Sequence, residues 1–125
     1  MKKLIVLLSI FIPLFFFIAC RHEPVLPDEQ VSFTAQVQPI IRGSCQHSGC
    51  HDTLSTSQDH RVIDSYEDMM ADNRIVPGKP HSSQIYIDIT ASSGEDMMPT
   101  VAYPRLTSEQ IKLIYIWILQ GAKNN

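Results

Sequence analysis

The stretch GSCQHSGCHD, residues 43–52, places two cysteines and two histidines within ten positions. Its metal-binding and redox-active side chains are Cys45, His47, Cys50 and His51. A disulfide between the two cysteines is one use of the cluster, because thiols oxidise in exported proteins. A zinc ion could instead take all four side chains as ligands, although the adjacency of Cys50 and His51 would demand a tight, strained wrap.

The order of these residues is also typical of covalent haem attachment. In c-type haem proteins two thiols add to the haem vinyl groups, and the histidine after the second cysteine ligates the iron. The usual spacing is C-x-x-C-H, whereas residues 45–51 contain C-x4-C-H. Positions five apart in a regular helix lie ~140° from each other, so Cys45 and Cys50 could not both face one porphyrin edge from a helix. We therefore expect the segment to loop out at Ser48 and Gly49, which favour turns.

A haem iron held by one histidine has an opposite axial position, where a methionine thioether raises the reduction potential and suits electron transfer. Met97 and Met98 lie in a predicted loop just before Pro99. The residue before a proline is extended, so the two side chains should point to opposite sides, and only one can reach the iron. The pair could instead be apolar gap filler, and His81 or His60 could replace methionine as the ligand.

Hydrophobic spacing and capping signals predict four helical segments. The alternation of isoleucines at 85, 87 and 89 would equally suit a strand, but we favour a helix there. The turn VPGKP at 76–80 precedes that segment. The predicted helices are 37–44 with Pro39 in its first turn, 65–73 capped by Ser65 with Asp68, 81–89 capped by Ser82 or Ser83, and 107–121 with a Thr107–Gln110 capping box and Gly121 at its end.

The N-terminal residues 1–19 carry the features of an export signal, a basic start followed by an apolar run. The run is shorter than the ~20 apolar residues of a membrane span, and Pro13 interrupts it. The ending FIAC resembles the lipobox of bacterial lipoproteins, in which the cysteine becomes the lipid-modified N-terminus. We therefore expect residues 1–19 to be removed and Cys20 to be lipidated.

Residues 20–32 contain prolines and alternating charges, which predict a tether between the lipid and a folded domain at 33–122; an arm packed on the domain is the alternative. Residues 123–125 form a predicted tail. Loss of two lysines with the signal peptide would change the formal net charge from −3 to −5. This acidic balance argues against a nucleic-acid partner, which needs basic patches. A chain of this size builds one small domain, whose modest core is often completed by a disulfide, a metal or a cofactor.

The motifs follow one another in an order that resembles a small class I cytochrome c domain of the kind found in bacterial lipoproteins. The resemblance covers residues 33–122 and includes, in order, VQPII, CQHSGCH, DSYED, IVPGKPHSS, DMMP and LTSEQIKLIYIWILQGA. It implies an all-α, cytochrome c-like fold of about four short helices around one covalently bound haem c. The helix before Cys45 would cross the C-terminal helix over the haem, with Trp117 in that packing. Tyr66 and Tyr103 are candidates for the lining of the haem pocket.

The resemblance also implies residue roles and a function. Cys45 and Cys50 would carry the thioether bonds, His51 would be the proximal iron ligand and Met98 the distal one. The protein would be an electron carrier rather than an enzyme, with redox proteins as partners and no small-molecule substrate. It would lie in the periplasm or cell envelope, anchored to the membrane by lipid at Cys20. The alternative is a haem-free lipoprotein, stabilised by a disulfide and acting as a binding or structural module.

Overall fold

The computed structural model describes residues 27–53, 61–94 and 96–125. Within these residues the chain is all-helical and contains no strand, which confirms the predicted all-α class. Three short helical turns accompany the α-helices: a π-helical turn at Phe33–Val37 and 3₁₀ turns at Ala71–Asn73 and Pro80–Ser82. None of the described helices is long and apolar enough to cross a membrane. The α-helices are α1 (Gln38–Cys45), α2 (Tyr66–Met70), α3 (Gln84–Thr90) and α4 (Ser108–Leu119).

Helix α4 forms where its predicted capping box lies. Thr107 Oγ1 accepts a hydrogen bond from the Gln110 backbone N–H at 3.2 Å, and Gln110 Oε1 accepts one from the Thr107 N–H at 2.8 Å. After the helix, Gly121 adopts a φ of +101°, and the Ala122 N–H bonds to the Trp117 carbonyl at 2.9 Å. A glycine in this left-handed conformation is a common helix terminator. The signals predicted for both ends of the helix are therefore confirmed.

The helical segment ahead of Cys45 begins earlier than the predicted residue 37. Ser32 Oγ accepts a hydrogen bond from the Ala35 N–H at 3.2 Å, and Gln36 Oε1 accepts one from the Ser32 N–H at 2.9 Å. This reciprocal pair starts the π-helical turn, which runs directly into α1. A π-helical turn pairs residues five apart, so a search for the 3.6-residue period does not detect it.

Helix α2 has the predicted cap but is shorter than predicted. Ser65 Oγ accepts a hydrogen bond from the Asp68 N–H at 3.1 Å, and Asp68 Oδ2 accepts one from the Ser65 N–H at 3.0 Å. The helix ends at Met70 rather than residue 73, because Ala71 adopts an extended ψ of 147° and Asp72 then adopts a φ of +55°. That backbone conformation is incompatible with a continuing α-helix, so the chain completes a 3₁₀ turn instead.

The isoleucine-rich stretch that could be helix or strand forms α3, as favoured. Ile87 is 42% exposed whereas Ile89 is 2% exposed, so burial does not follow the period of a strand with one buried face. Ser83 stands before the helix, but its side chain does not cap it. Its fully buried Oγ accepts a hydrogen bond from the Val76 N–H at 2.9 Å and donates one to the Lys79 carbonyl at 3.0 Å. Ser83 therefore ties the VPGKP turn to the start of α3.

The core is centred on Trp117 of α4. The Phe33 ring lies 5.4 Å from the Trp117 ring, and the Tyr66 ring meets both edge-on, at 5.3 and 6.5 Å respectively. Trp117 Nε1 donates to the Lys123 carbonyl at 2.9 Å, and the Tyr66 hydroxyl donates to the Ala122 carbonyl at 2.8 Å. Both polar tips are therefore satisfied. The segment ahead of the cysteine cluster reaches α4 through its π-helical turn.

Both ends of the described chain pack on this core. Val31, in the predicted tether, is buried, and its N–H donates to Gln120 Oε1 at 2.8 Å. Asn125, in the predicted tail, accepts a hydrogen bond at its backbone oxygen from Ser32 Oγ at 2.8 Å. The last residues of the tether therefore lie on the domain, as in a packed arm, and the tail lies beside them.

Some predicted features lie outside the described residues. Residues 1–26 contain the signal peptide, the lipidation site Cys20 and the first part of the tether. Residues 54–60 contain His60, one of the alternative axial ligands. The other candidate haem-attachment and ligand residues lie within the described ranges.

Candidate functional site

One cavity brings the four predicted haem-site residues together. Cys45, Cys50, His51 and Met98 all line it, although Met98 is far from the other three in the sequence. The cavity volume is about 240 Å³, slightly below the range of about 300–1,000 Å³ for small-molecule sites. The cavity is partly open to solvent. Two thiols, an imidazole and a thioether thus line the same cavity.

The loop between the two cysteines leaves the helix as the wide spacing requires. Helix α1 ends at Cys45, and Gly49 adopts a φ of +79°. The Gly49 N–H donates to Asp52 Oδ1 at 3.2 Å, and the Cys50 N–H donates to the His47 carbonyl at 2.8 Å. This tight turn brings the second thiol back to the cavity that the first thiol lines, which five positions of regular helix would not do.

The imidazole of His51 is oriented by a main-chain carbonyl. Its Nδ1 lies 2.7 Å from the Arg61 carbonyl oxygen. Because a carbonyl oxygen only accepts hydrogen bonds, Nδ1 carries the proton in this contact, and the lone pair of the neutral ring is on Nε2. Metal-ligating histidines typically use their second ring nitrogen in this way. The Ile63 N–H donates to the His51 carbonyl at 3.1 Å and joins the same two segments.

Met98 is held beside α3 through its backbone. Its N–H donates to the Asp88 carbonyl at 3.1 Å, and its carbonyl accepts a hydrogen bond from Arg105 Nη1 at 3.1 Å. Met98 lines the cavity, whereas Met97 is not among the lining residues. Sequence reasoning missed Arg105, because its partners are main-chain carbonyls, which carry no residue-specific signal.

Most of the cavity wall is apolar. Ile63, Met69, Ile89 and Pro99 are buried residues that contribute to it. Met69 is only 3% exposed, so this methionine serves the core and the cavity wall together. A wall of this kind excludes water and favours a large hydrophobic ligand.

A smaller part of the wall is polar. Gln84 Nε2 donates to Asp88 Oδ1 at 2.7 Å, and Arg74 also lines the cavity. Burial raises the pKa of the Asp88 carboxyl, while the Gln84 hydrogen bond and the Arg74 charge oppose that rise. The Arg74 guanidinium gives the cavity a cationic group of the type that pairs with carboxylates.

An aromatic pair joins two segments of the cavity wall. The rings of His47 and Tyr103 are stacked with centroids 4.0 Å apart and planes within 3° of parallel. Both residues line the cavity, so the cysteine loop is connected to the segment that follows Met98. Tyr66, the other tyrosine considered for the pocket, packs against Trp117 in the core.

The zinc alternative has little support in this geometry. Among the described residues, no three histidine, cysteine, aspartate or glutamate side chains are grouped as a metal site requires. Burial, with a smaller contribution from the nearby Cys50 charge, raises the pKa of the Cys45 thiol to about 11. Cys45 is therefore a neutral thiol at neutral pH in the metal-free protein.

The remaining alternatives concern the cysteine pair and His81. Cys45 and Cys50 are free thiols in this structure and are not joined by a disulfide. His81 is exposed and packs edge-on against the rings of Tyr86, at 5.3 Å, and Tyr115, at 5.7 Å. It is not among the cavity-lining residues, which weighs against it as an axial ligand.

Comparison with known proteins adds no assignment to this geometry. The chain matches no protein-family model, and no curated protein and no solved structure is significantly similar to it. Its function has to be inferred from the chemistry of the cavity and from the N-terminal sequence.

Proposed function

We propose that this protein is an exported, lipid-anchored c-type cytochrome that carries single electrons. Its helices would surround one covalently bound haem c in a class I cytochrome c-like arrangement. The observation that carries the proposal is the cavity shared by Cys45, Cys50, His51 and Met98. These four side chains are the set that covalent haem attachment and His/Met axial ligation require.

Each of the four side chains would have a separate role. Cys45 and Cys50 would hold the haem through thioether bonds to its two vinyl side chains. His51 would ligate the iron through Nε2, while the hydrogen bond from Nδ1 to the Arg61 carbonyl fixes the ring. Met98 would supply its sulfur as the second protein ligand to the iron. The bound haem supplies reversible one-electron exchange between ferric and ferrous iron.

The protein's own groups favour electron transfer over substrate chemistry. If His51 and Met98 both held the iron, the protein would leave no ligand position for a substrate. A thioether ligand from Met98 would favour the ferrous state and raise the reduction potential, and the apolar wall would limit the access of water to the ligands. We therefore propose an electron carrier with no small-molecule substrate, rather than an enzyme.

Arg74 is the cavity residue best suited to the carboxylate side of a haem. A guanidinium binds carboxylates through two parallel N–H···O bonds, and Arg74 is the cationic side chain that lines this cavity among the described residues. Gln84 lies in the same polar part of the wall and is already bonded to Asp88. Arg74 would therefore pair with a haem propionate.

The proposed location follows from the N-terminal sequence. A cleaved signal peptide and a lipid on Cys20 would keep the domain in the periplasm or cell envelope, attached to a membrane. The formal net charge is −3 for the full sequence, so redox partner proteins with a basic docking surface are favoured over nucleic acids.

Matched methionine variants test the proposal. The exported protein should be produced with a haem-maturation system and its ferric absorption spectrum recorded. We expect the weak long-wavelength band that marks an iron–methionine bond, because a sulfur ligand is proposed. The band should vanish in Met98→Ala and survive in Met97→Ala. The opposite pattern would contradict the assignment of Met98, and protein without any haem would contradict the function itself.

A further inference from the structure

The guanidinium of Arg105 joins two backbone segments beside the cavity. Its Nη2 donates hydrogen bonds to the carbonyls of Ile89, at 2.9 Å, and Ala91, at 2.7 Å. Its Nη1 donates to the carbonyls of Met98, at 3.1 Å, and Pro99, at 3.3 Å. One side chain thus connects the end of α3 to the peptide of the proposed distal ligand.

This arrangement suits arginine better than any other side chain. The last carbonyls of a helix lack partners within the helix, and a cation at that end also interacts favourably with the helix dipole. A planar guanidinium directs N–H groups along two sides, whereas a lysine ammonium is a compact point charge. The Met98 N–H donates to the Asp88 carbonyl of α3 at 3.1 Å. Both sides of the Met98 backbone are therefore held, one by α3 and the other by Arg105.

We propose that Arg105 is a positioning residue for Met98, which holds the methionine loop against α3 so that the thioether stays at the iron. This inference rests on the proposed function, since it concerns the distal ligand of the haem. Arg105 is not among the cavity-lining residues, so it acts through the Met98 backbone. Removing the guanidinium should raise the fraction of protein in which Met98 is withdrawn from the iron. The apparent affinity of a competing ligand rises with that fraction.

Imidazole binding to the ferric, haem-loaded protein measures this fraction, because imidazole competes with methionine for the axial position. We expect Arg105→Gln to bind imidazole about tenfold more tightly than wild type, which is the effect of about one charge-assisted hydrogen bond. The iron–methionine band should weaken in parallel. Arg105→Lys keeps the positive charge but not the planar set of N–H donors, so its change in imidazole affinity should be smaller and in the same direction. Arg42→Gln is the matched control, because the exposed ion pair of Arg42 with Asp64 involves no residue of the methionine loop.

A double-mutant cycle separates positioning from general stabilisation. In a Met98→Ala background, Arg105→Gln should leave the imidazole affinity unchanged, because no methionine remains to be positioned. An equal effect of Arg105→Gln with and without Met98 would overturn the inference, even if both variants unfold at lower temperature. Wild-type imidazole affinity in both Arg105 variants would also overturn it. If Arg105→Gln does not acquire haem, the imidazole affinity of Arg105→Lys decides between the two outcomes. Wild-type protein without covalent haem would overturn the proposed function as well, so the two failures are distinguishable.

Discussion

The region around Trp117 and the region around the cavity use similar apolar side chains in different packing. Ile114, Trp117 and Ile118 are at most 1% exposed, and the rings of Phe33 and Tyr66 occupy the space beside the indole. Around the cavity, the four proposed haem-site side chains are only partly buried, and the apolar walls stand apart from one another.

This difference separates stability from function. The Trp117 region is close-packed from the chain's own residues, so any change there should lower the free energy of unfolding. The cavity region is held by turns and backbone hydrogen bonds, and its apolar walls would gain contacts from an occupant. We therefore expect changes at the cysteines to abolish attachment of the proposed haem, whereas changes at Trp117 should lower stability.

The largest expected effect is the loss of covalent haem in the double variant Cys45→Ser with Cys50→Ser. Neither serine hydroxyl can form the thioether, so a denaturing gel should show no haem on the chain. Cys20→Ser is the matched control, because it removes a cysteine outside the cluster and should keep the haem while losing the lipid. Covalent haem in the double variant would contradict the assignment of haem attachment to Cys45 and Cys50, and with it the difference drawn between the two regions.

On the other side of the comparison, Trp117→Ala should lower the free energy of unfolding by about 3–5 kcal/mol, the usual cost of truncating a buried aromatic side chain. Ile87→Ala is the control for a hydrophobic residue outside the core, since Ile87 is 42% exposed and the change should cost less than about 1 kcal/mol. Denaturant unfolding of the haem-loaded proteins measures both. Similar losses in the two variants would contradict the assignment of the core to Trp117.

A smaller, pH-dependent effect is expected at α2, which contributes Tyr66 to the core and Met69 to the cavity wall. The Ser65 hydroxyl, and next the Ser65 backbone N–H, hold the pKa of the Asp68 carboxyl below its ordinary value of 3.8. Because the folded state favours the carboxylate, this stabilisation is present above pH 3.8 and is lost as the pH falls through the lowered pKa.

Asp68→Asn keeps an accepting oxygen and removes the charge, so it isolates this contribution. The variant should have a slightly lower Tm than wild type at neutral pH, and the difference should disappear in acid. Thermal unfolding at a series of pH values measures it, with Glu67→Gln on the same helix as the control for net charge. A Tm difference that does not change with pH would show that the charge of Asp68 does not stabilise the cap.

The parts of the fold that the sequence predicted are those governed by neighbours along the chain. The capping boxes at Ser65 and Thr107 and the terminator Gly121 form as expected, because each involves residues within about one helical turn. Ser83 shows the limit of such signals. A serine before a helix predicts a cap, but this side chain is buried against the preceding turn, and only the folded chain shows that contact.

The cavity shows the same limit more strongly. Cysteine spacing and the methionine pair, together with the resemblance to class I cytochromes c, indicated Cys45, Cys50, His51 and Met98 as candidates, but not what orients them. His51 is oriented by a carbonyl ten residues on, and Met98 by an arginine guanidinium and a carbonyl of α3. Main-chain carbonyls are the same at every residue, so no sequence pattern marks these partners.

The most direct test of the central claim is peptide mapping of the exported protein, produced with a haem-maturation system. Mass spectrometry should find one haem on a single peptide that contains both Cys45 and Cys50, and the pyridine haemochrome spectrum should be that of haem with two thioether bonds. A haem-free peptide in which Cys45 and Cys50 are joined by a disulfide would contradict the account, and would leave a lipoprotein that acts as a binding or structural module.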